Sequence, residues 1–456
     1  MRRLIAAGCS FAAFASAAPA LTAAAEGIHN IQHVVMVMQE NRTFDNYFGT
    51  YPGANGIPAG VCLPDPTHKT CGRPFHDSKD ENVGGPHGTE SSELDINGGK
   101  MNGFIEVASA RQVCGRTRVD CRPCTEQQLT ECIDVMGYHD AREIPNYWKY
   151  AQNFVLQDNM FASGASWSLP EHLFLVSGWS ALCEGTRNPL ECVETLSAER
   201  PANASYEWTD ITYLLNGAGV SWRYFLFEGS EPDCASDESI TCTPGSQSPQ
   251  TPGIWNPLRS FEDVKQDGQL GNIQSLSNYY TDVQQPKTCG LPNVSWVIPN
   301  SSVSEHPPGL ISKGQAYVTT VINAVMRSPC WNSTAIFLSW DDWGGFYDHV
   351  VPPSVSKAGY GIRVPGLVIS PYALAGVIDH QQLSHDAFLK FIEDDFLSGA
   401  RLNPKTDGRP DGRKVVREEV TTLGNIANDF NFNQPPRPPL ILSPHPAPGP
   451  PSQPPG

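Results

Sequence analysis

The sequence predicts a mostly parallel α/β sheet flanked by helices, and three observations predict it. Short apolar runs rich in β-branched residues recur along the chain, among them His33-Val34-Val35-Met36-Val37-Met38, Val294-Ser295-Trp296-Val297-Ile298 and Ala335-Ile336-Phe337-Leu338. Runs without polar alternation read as strands buried on both faces, which is how parallel sheets are built. Helical spacing separates them, as from Gly314 to Met326, and strands alternating with helices imply crossover-connected parallel strands. Finally, Glu40-Asn41 and Asp341-Asp342 each follow one of these runs, at the carboxyl end where open α/β sheets bind ligands.

Taken in chain order, the first strand ends at Met38 and leads into Gln39 to Asp45. A long stretch follows, roughly 49–140, crowded with Gly, Pro, Cys and polar residues. It reads as a cross-linked excursion over the ligand-binding face, since loops of that length usually carry function. Ile144 to Ser177 is mixed helix and loop; Trp208 to Leu226 is a helix followed by the strand Val220 to Phe225. The strand at Val294 to Ile298, the helix from Gly314, the Asp-Asp strand and a last apolar strand at Val364 to Ser370 complete the series. From Pro435 to Gly456 proline dominates, and that tail is expected to be extended or disordered because it lacks the apolar residues of a core. One catalytic domain is therefore expected over residues 26–433, with a proline-rich disordered tail at 434–456.

Composition bounds the partners. Charged residues make up only 17 % of the chain against 39 % hydrophobic, which describes a loop-rich globular protein and not a disordered one. Arg2-Arg3, the Ala-rich apolar stretch Leu4 to Leu21 and the A-x-A site at Ala23-Ala24-Ala25 form a secretory signal peptide, cleaved after Ala25. Export to the periplasm or the medium follows, and no second apolar span offers a membrane anchor. Cleavage removes two arginines and leaves the chain more acidic than its formal net charge of −17. That acidity argues against nucleic acid as a partner and gives no help in binding anionic membranes.

Cleavage also removes Cys9 and leaves an even number of cysteines, expected to pair as disulfides in an oxidising compartment. Cys62–Cys71, Cys183–Cys192 and Cys289–Cys330 are the expected pairs, and Cys234 lies close to Cys242. The Cys114, Cys121, Cys124, Cys132 cluster contains one C-x-x-C, too little to specify zinc.

An isolated acidic pair after a strand ordinarily caps a helix or faces solvent. Two such pairs, one followed by Gly344-Gly345, point elsewhere. Brought to one sheet edge they supply three carboxylates and an amide oxygen, which hard divalent cations accept; Ca, Mg, Mn and Zn all remain open.

Glu40-Asn41-Arg42-Thr43-Phe44-Asp45-Asn46-Tyr47-Phe48-Gly49 resembles the E-N-R-[ST]-F-D-x-x-F-G signature of the bacterial phospholipase C and acid phosphatase family, within the alkaline-phosphatase-like superfamily. Asn97 to Phe104, Asp158-Asn159-Met160-Phe161, Ser304-Glu305-His306-Pro307-Pro308, Asp341 to Pro353 and Arg363 to Pro371 continue the resemblance in order. It implies a three-layer α/β/α sandwich and a phosphoesterase activity. The leading expectation is phospholipase C, releasing diacylglycerol and a phosphorylated head group with transient contact at lipid surfaces. A broad acid phosphomonoesterase comes second, and a non-catalytic binding module on a hydrolase scaffold third.

The resemblance also implies site residues. Glu40, Asn41, Asp341 and Asp342 match metal-binding positions, and Asn41 also matches a contact to the phosphoryl oxygens. Ser168 falls at the nucleophile position, with Ser166 as the other candidate; Glu171 stands where the family has asparagine. Serine is a poor nucleophile until a base or a metal activates it, and the departing oxygen needs a proton, for which histidine is suited. His306 and His87 match active-site histidines for that role or for holding the phosphoryl oxygens, while Asp348 and His349 match supporting positions behind the metal ligands. Sulfatases carry [CS]-x-P-x-R, and Ser168-Leu169-Pro170-Glu171-His172 lacks the final arginine, so the plain hydroxyl is expected to act.

Overall fold

A computed structural model describes residues 27–66, 69–109, 133–183, 187–197, 205–234 and 245–455. The signal peptide, the four-cysteine cluster and Cys242 lie outside these residues.

Eight strands form the central sheet: β1 (His33–Gln39), β2 (Val155–Gln157), β3 (Trp222–Leu226), β4 (Ile273–Ser275), β5 (Val294–Ile298), β6 (Thr334–Trp340), β7 (Gly366–Ile369) and β8 (Val377–Asp379). Their order is β4-β3-β5-β1-β6-β7-β2-β8. All neighbours are parallel except at β7, which runs antiparallel to both β6 and β2. The apolar runs are the inner strands: β1, β5 and β6 are almost wholly buried. Sequence periodicity does not reveal β2, β4 and β8, each three residues long and too short to carry a pattern.

The helices that matter for the site are α1 (Phe44–Phe48), α2 (Pro145–Asn153), α3 (Ser168–Ser177), α4 (Ile311–Met326) and α5 (Asp386–Phe396). Phe337 of β6 stacks on Phe388 of α5 at 5.2 Å, whereas Trp340 of the same strand meets Tyr147 of α2 at 5.2 Å. These strand positions have opposite parity and so point to opposite faces. Helices thus cover both sides, α5 packing with α3 and α4 with α2, in a three-layer arrangement.

The excursion after β1 builds a second, smaller core from Ile57, Leu63, Met101, Phe104, Ile105, Val135, Met136 and Tyr138. Trp343 and Tyr347, just past the Asp-Asp pair, insert into it. This small core fixes the loop after β6. Gly344 and Gly345 have φ of 59° and 77°, and a Cβ on either would lie within 2.5 Å of Asn41 or Gly85. Only glycine permits both the left-handed backbone and that approach.

The expected pairs Cys62–Cys71, Cys183–Cys192 and Cys289–Cys330 are bonded. Cys234 is also in a disulfide, its partner outside the described residues.

Residues 434–455 are extended, as their proline content requires, but they are not the disordered tail that composition suggested. Asn323 of α4 donates to the Leu442 carbonyl (2.7 Å) and accepts its N–H (3.2 Å). Asn146 donates to the Ser443 carbonyl, Gly449 N–H to the Ala141 carbonyl, and the Ser452 hydroxyl to Asp140. A polyproline segment loses little entropy on docking, so a few pinned polar groups suffice to hold it. Asn323→Ala is expected to lower unfolding free energy by about 1–3 kcal/mol, because it leaves the Leu442 amide groups unpaired. Urea unfolding and protease nicking after residue 434 would read this out, and an unchanged midpoint would show the strap to be unimportant.

Candidate active site

The site assembles at the carboxyl edge of the sheet. β1 and β6 pair in register Gln39↔Trp340, so Glu40-Asn41 and Asp341-Asp342 leave adjacent strand ends side by side. The loops after β3 and β5 bring Asp233 and His306 to the same edge, and α3 presents Ser168 there as its first residue. Parallel strands aim their carboxyl ends the same way, and so residues far apart in sequence meet.

Asn41 is the hinge of the arrangement. It adopts φ of 60°, a left-handed conformation that asparagine tolerates better than most residues. Its amide nitrogen donates to Asp342 Oδ1 (2.8 Å) and its backbone N–H to Asp341 Oδ1 (3.2 Å). The Gly344 N–H also donates to Asp342 Oδ1 (2.8 Å). Ser168 donates its hydroxyl to Glu40 Oε1 (2.9 Å). Ser166, the other serine candidate, pairs with the Thr89 hydroxyl (2.8 Å) and faces the Leu196 carbonyl. Glu171 accepts the N–H groups of Ser163 and Gly164, both at 2.7 Å, and so clamps the loop that leads into Ser168.

One oxygen on each of the four residues matched to metal binding is buried without a hydrogen-bond partner: Glu40 Oε2, Asn41 Oδ1, Asp341 Oδ2 and Asp342 Oδ2. Buried polar atoms are normally satisfied, each unmade bond costing about 1–3 kcal/mol. Four orphaned oxygens at one sheet edge, three of them on carboxylates, are the donor types that a hard divalent cation takes. Burial, then mutual repulsion with Asp341, holds the Glu40 and Asp342 carboxyls well above the ordinary range. Asp341 is pushed up to about 6, chiefly by burial.

The tightest ligand-like groups are different ones. Among the described residues, His87–Asp233–His306, Asp45–Asp348–His349 and His76–Asp140–Glu143 each bring three ligand atoms within 4.8 Å of one another. The Glu40–Asn41–Asp341–Asp342 quartet is not one of these; Asn41 and Ser168 join its members.

His306 Nε2 donates to Asp233 Oδ1 (2.9 Å), and His87 Nε2 lies 3.7 Å from Asp233 Oδ2. The two rings meet edge to face at 5.5 Å. Burial alone would depress the His87 imidazole, but Asp342 and Asp233 outweigh it and push it up to about 10. Burial would raise Asp233, yet His306 and His87 hold it below the usual carboxylate range. Sequence reading missed Asp233, in a polar loop with no motif. The signal that reaches it is the one that found the acidic pairs, an acidic residue past the carboxyl end of a buried strand.

Asp348 and His349 do not touch the quartet. His349 Nδ1 bonds Asp45 Oδ2 (2.7 Å), and Arg363 Nε donates to both Asp348 oxygens (3.2 and 3.1 Å) while its Nη2 donates to Asp45 Oδ1 (3.0 Å). This buried network ties α1, which follows Asn41, to the loop after β6. His172, one helical turn past Ser168, is also buried, and neither of its ring nitrogens has a hydrogen-bond partner.

The chain is similar to several known proteins. The chain is 27 % identical over 457 residues to phospholipase C A of Mycobacterium tuberculosis, covering 89 % of this chain and 78 % of that protein. It is 27 % identical to the non-hemolytic phospholipase C of Burkholderia pseudomallei over 90 % of its own length but spans only 60 % of that relative. Non-specific phospholipase C6 of Arabidopsis thaliana is 24 % identical, covering 78 % of this chain and 65 % of the plant protein. Likeness to solved structures is weaker: PsFucS1 sulfatase from Pseudoalteromonas sp. aligns over 90 % of this chain and 77 % of its own at 10 % identity and a TM-score of 0.42. A model of the phosphoesterase family matches residues 31–397. From the first strand through the last helix, the chain belongs to the phosphoesterase family.

Proposed function

We propose that the chain is an exported, metal-dependent phospholipase C that cleaves phospholipids to diacylglycerol and a phosphorylated head group. The observation that carries this is the Ser168 hydroxyl hydrogen-bonded to Glu40 beside four orphaned oxygens. A divalent cation held by Glu40, Asn41, Asp341 and Asp342 supplies Lewis acidity, lowering the pKa of a hydroxyl and drawing charge from phosphoryl oxygens.

The chain's own groups do the rest. Ser168 sits at the amino end of a ten-residue helix, where the dipole favours negative charge on an oxygen. Its hydroxyl passes its proton to Glu40 Oε1, which it already bonds, and attacks phosphorus as the bond to the glycerol oxygen breaks. His87, its Nε2 beside Asp233, clamps phosphoryl oxygens. His306, bonded through Nδ1 to the Pro307 carbonyl and through Nε2 to Asp233, delivers the Nε2 proton to the departing oxygen as the bond to Asp233 gives way. Water then attacks the phosphoryl-serine and gives a proton to the spent His306, and the Glu40 proton returns to the serine oxygen as the head-group phosphate leaves. Disulfides on surface loops suit the oxidising compartment that export provides. No helix among the described residues is long and apolar enough to cross a membrane.

The test is turnover of a chromogenic phosphodiester against its monoester, with and without chelator. Diester preference, abolished by chelation and restored by a divalent cation, is the expected result. Monoester preference with an acidic optimum would favour the acid phosphatase reading, and no turnover of either a binding module. Cation affinity is expected to fall as pH falls, because the raised Glu40 and Asp342 carboxyls must release protons to bind it. His306→Ala is expected to slow poor leaving groups by about 10²–10⁴-fold and activated aryl esters far less. Equal losses across leaving groups would take the proton donor elsewhere.

A further inference from the structure

His172 belongs to no role derived so far. Its ring is fully buried, tilted against the Trp255 indole with centroids 4.0 Å apart, which fixes its plane. Neither ring nitrogen has a hydrogen-bond partner among the described residues. A neutral imidazole always carries one N–H and one lone pair, so at least two polar functions go unmet in the protein by itself. Native structures rarely leave a buried polar side chain wholly unpartnered unless an ion or water belongs there.

The position of the ring says which. His172 lies four residues past Ser168 on α3, hence on the same helix face, and helical side chains lean toward the amino end, here toward the serine. Its Nε2 is 3.9 Å from Asp341 Oδ2, too far for a hydrogen bond, and that oxygen is itself unpartnered. Two atoms each roughly 2.1 Å from one cation can stand at most about 4.2 Å apart, so this pair spans a wide ligand–metal–ligand angle.

Resting on the phosphoesterase reading above, we infer that His172 Nε2 is a further ligand to the cation held by Glu40, Asn41, Asp341 and Asp342, giving this site a nitrogen donor. An all-oxygen set accepts Ca²⁺ or Mg²⁺, whereas an added imidazole shifts preference toward Zn²⁺, Mn²⁺ and their transition-metal neighbours. The chain has histidine where the sulfatase signature has arginine, a cation that cannot ligate a metal.

The experiment measures Zn²⁺ and Ca²⁺ affinities of the full exported chain by competition with a fluorescent chelator, for wild type and His172→Gln. Zn²⁺ binding is expected to weaken at least ~10-fold in the variant. Ca²⁺ binding should change by less than about threefold, since Ca²⁺ takes little from nitrogen. In parallel, pulsed EPR of the Mn²⁺-loaded wild type should show imidazole nitrogen coupling that persists in His87→Gln and His306→Gln. That measurement needs no His172 variant and so decides the matter even if His172→Gln does not fold. Unchanged Zn²⁺ selectivity, or coupling absent from wild type or lost with His87 or His306, overturns the assignment while leaving the oxygen quartet intact. Failure of the wild type to bind either cation overturns the metal-dependent reading as well.

Discussion

Ser168→Ala is expected to cut turnover by roughly three to five orders of magnitude while leaving fold and cation content unchanged. The substitution deletes one hydroxyl from a fully buried position and opens little space. Its hydrogen-bond partner, Glu40, keeps a carboxylate that a cation can take up. Ser166→Ala is expected to cost far less, because that hydroxyl faces Thr89 and Leu196 and not the quartet. Steady-state kinetics on a phosphodiester, with metal analysis and thermal melting of each variant, measure both. Full activity in Ser168→Ala would replace the phosphoryl-serine by direct attack of water, and a dead Ser166→Ala with a live Ser168→Ala would move the nucleophile two residues.

Arg363→Leu is expected to destabilise the fold by about 3–5 kcal/mol, the range for removing one partner of a buried ion pair. The guanidinium is fully buried, lies 4.4 Å over the Phe44 ring, and donates to Asp45, to Asp348 and to the carbonyls of Asn55 and Asp158. Without it Asp348 becomes a buried carboxylate with no cation bonded to it, and Asp45 keeps only His349. Burial already pushes Asp348 up to about 6, against the pull of Arg363. Its folded pKa therefore lies above its unfolded one, and removing Arg363 raises it further. Protonation relieves the uncompensated charge, so the deficit should shrink as pH falls from 8 to 5. Chemical denaturation across that range gives the answer; a small or pH-independent loss would mean that water already solvates the pair.

Much of the candidate site was legible because its acidic residues sit at strand ends. Val34 to Met38 and Ala335 to Leu338 announce buried strands by lacking polar alternation, and the acidic pairs follow them directly. The motif around Ser168 distinguishes it from Ser166 only by family pattern, whereas the hydrogen bond to Glu40 separates the two physically. Asp233 lies well past the end of its strand and His172 inside a helix, so neither follows an apolar run directly. Asp233 is an ordinary loop aspartate until the fold sets it between His87 and His306, and His172 looks like any helical histidine until both nitrogens prove unpartnered. The tail misled for a related reason. Composition sets how little core a proline-rich segment can form, but not whether Asn323 and Asn146 wait on the surface to receive it.

By itself the sequence determined the sheet's inner strands, the disulfides within reach of one another, and the residue types a phosphoryl-transfer site needs. The strands are local properties written in periodicity, whereas the serine and the histidines rest on the family resemblance and Cys289–Cys330 spans 41 residues. Only the tertiary structure decided that β7 runs antiparallel, that Asp348 and His349 serve an Arg363 network and not the quartet, and that Asp233 joins two histidines. Those outcomes depend on which strand ends become neighbours and on what each buried charge finds within reach. Both follow from the packing of the whole chain, because a charge removed from water must take its partner from whatever the fold brings beside it.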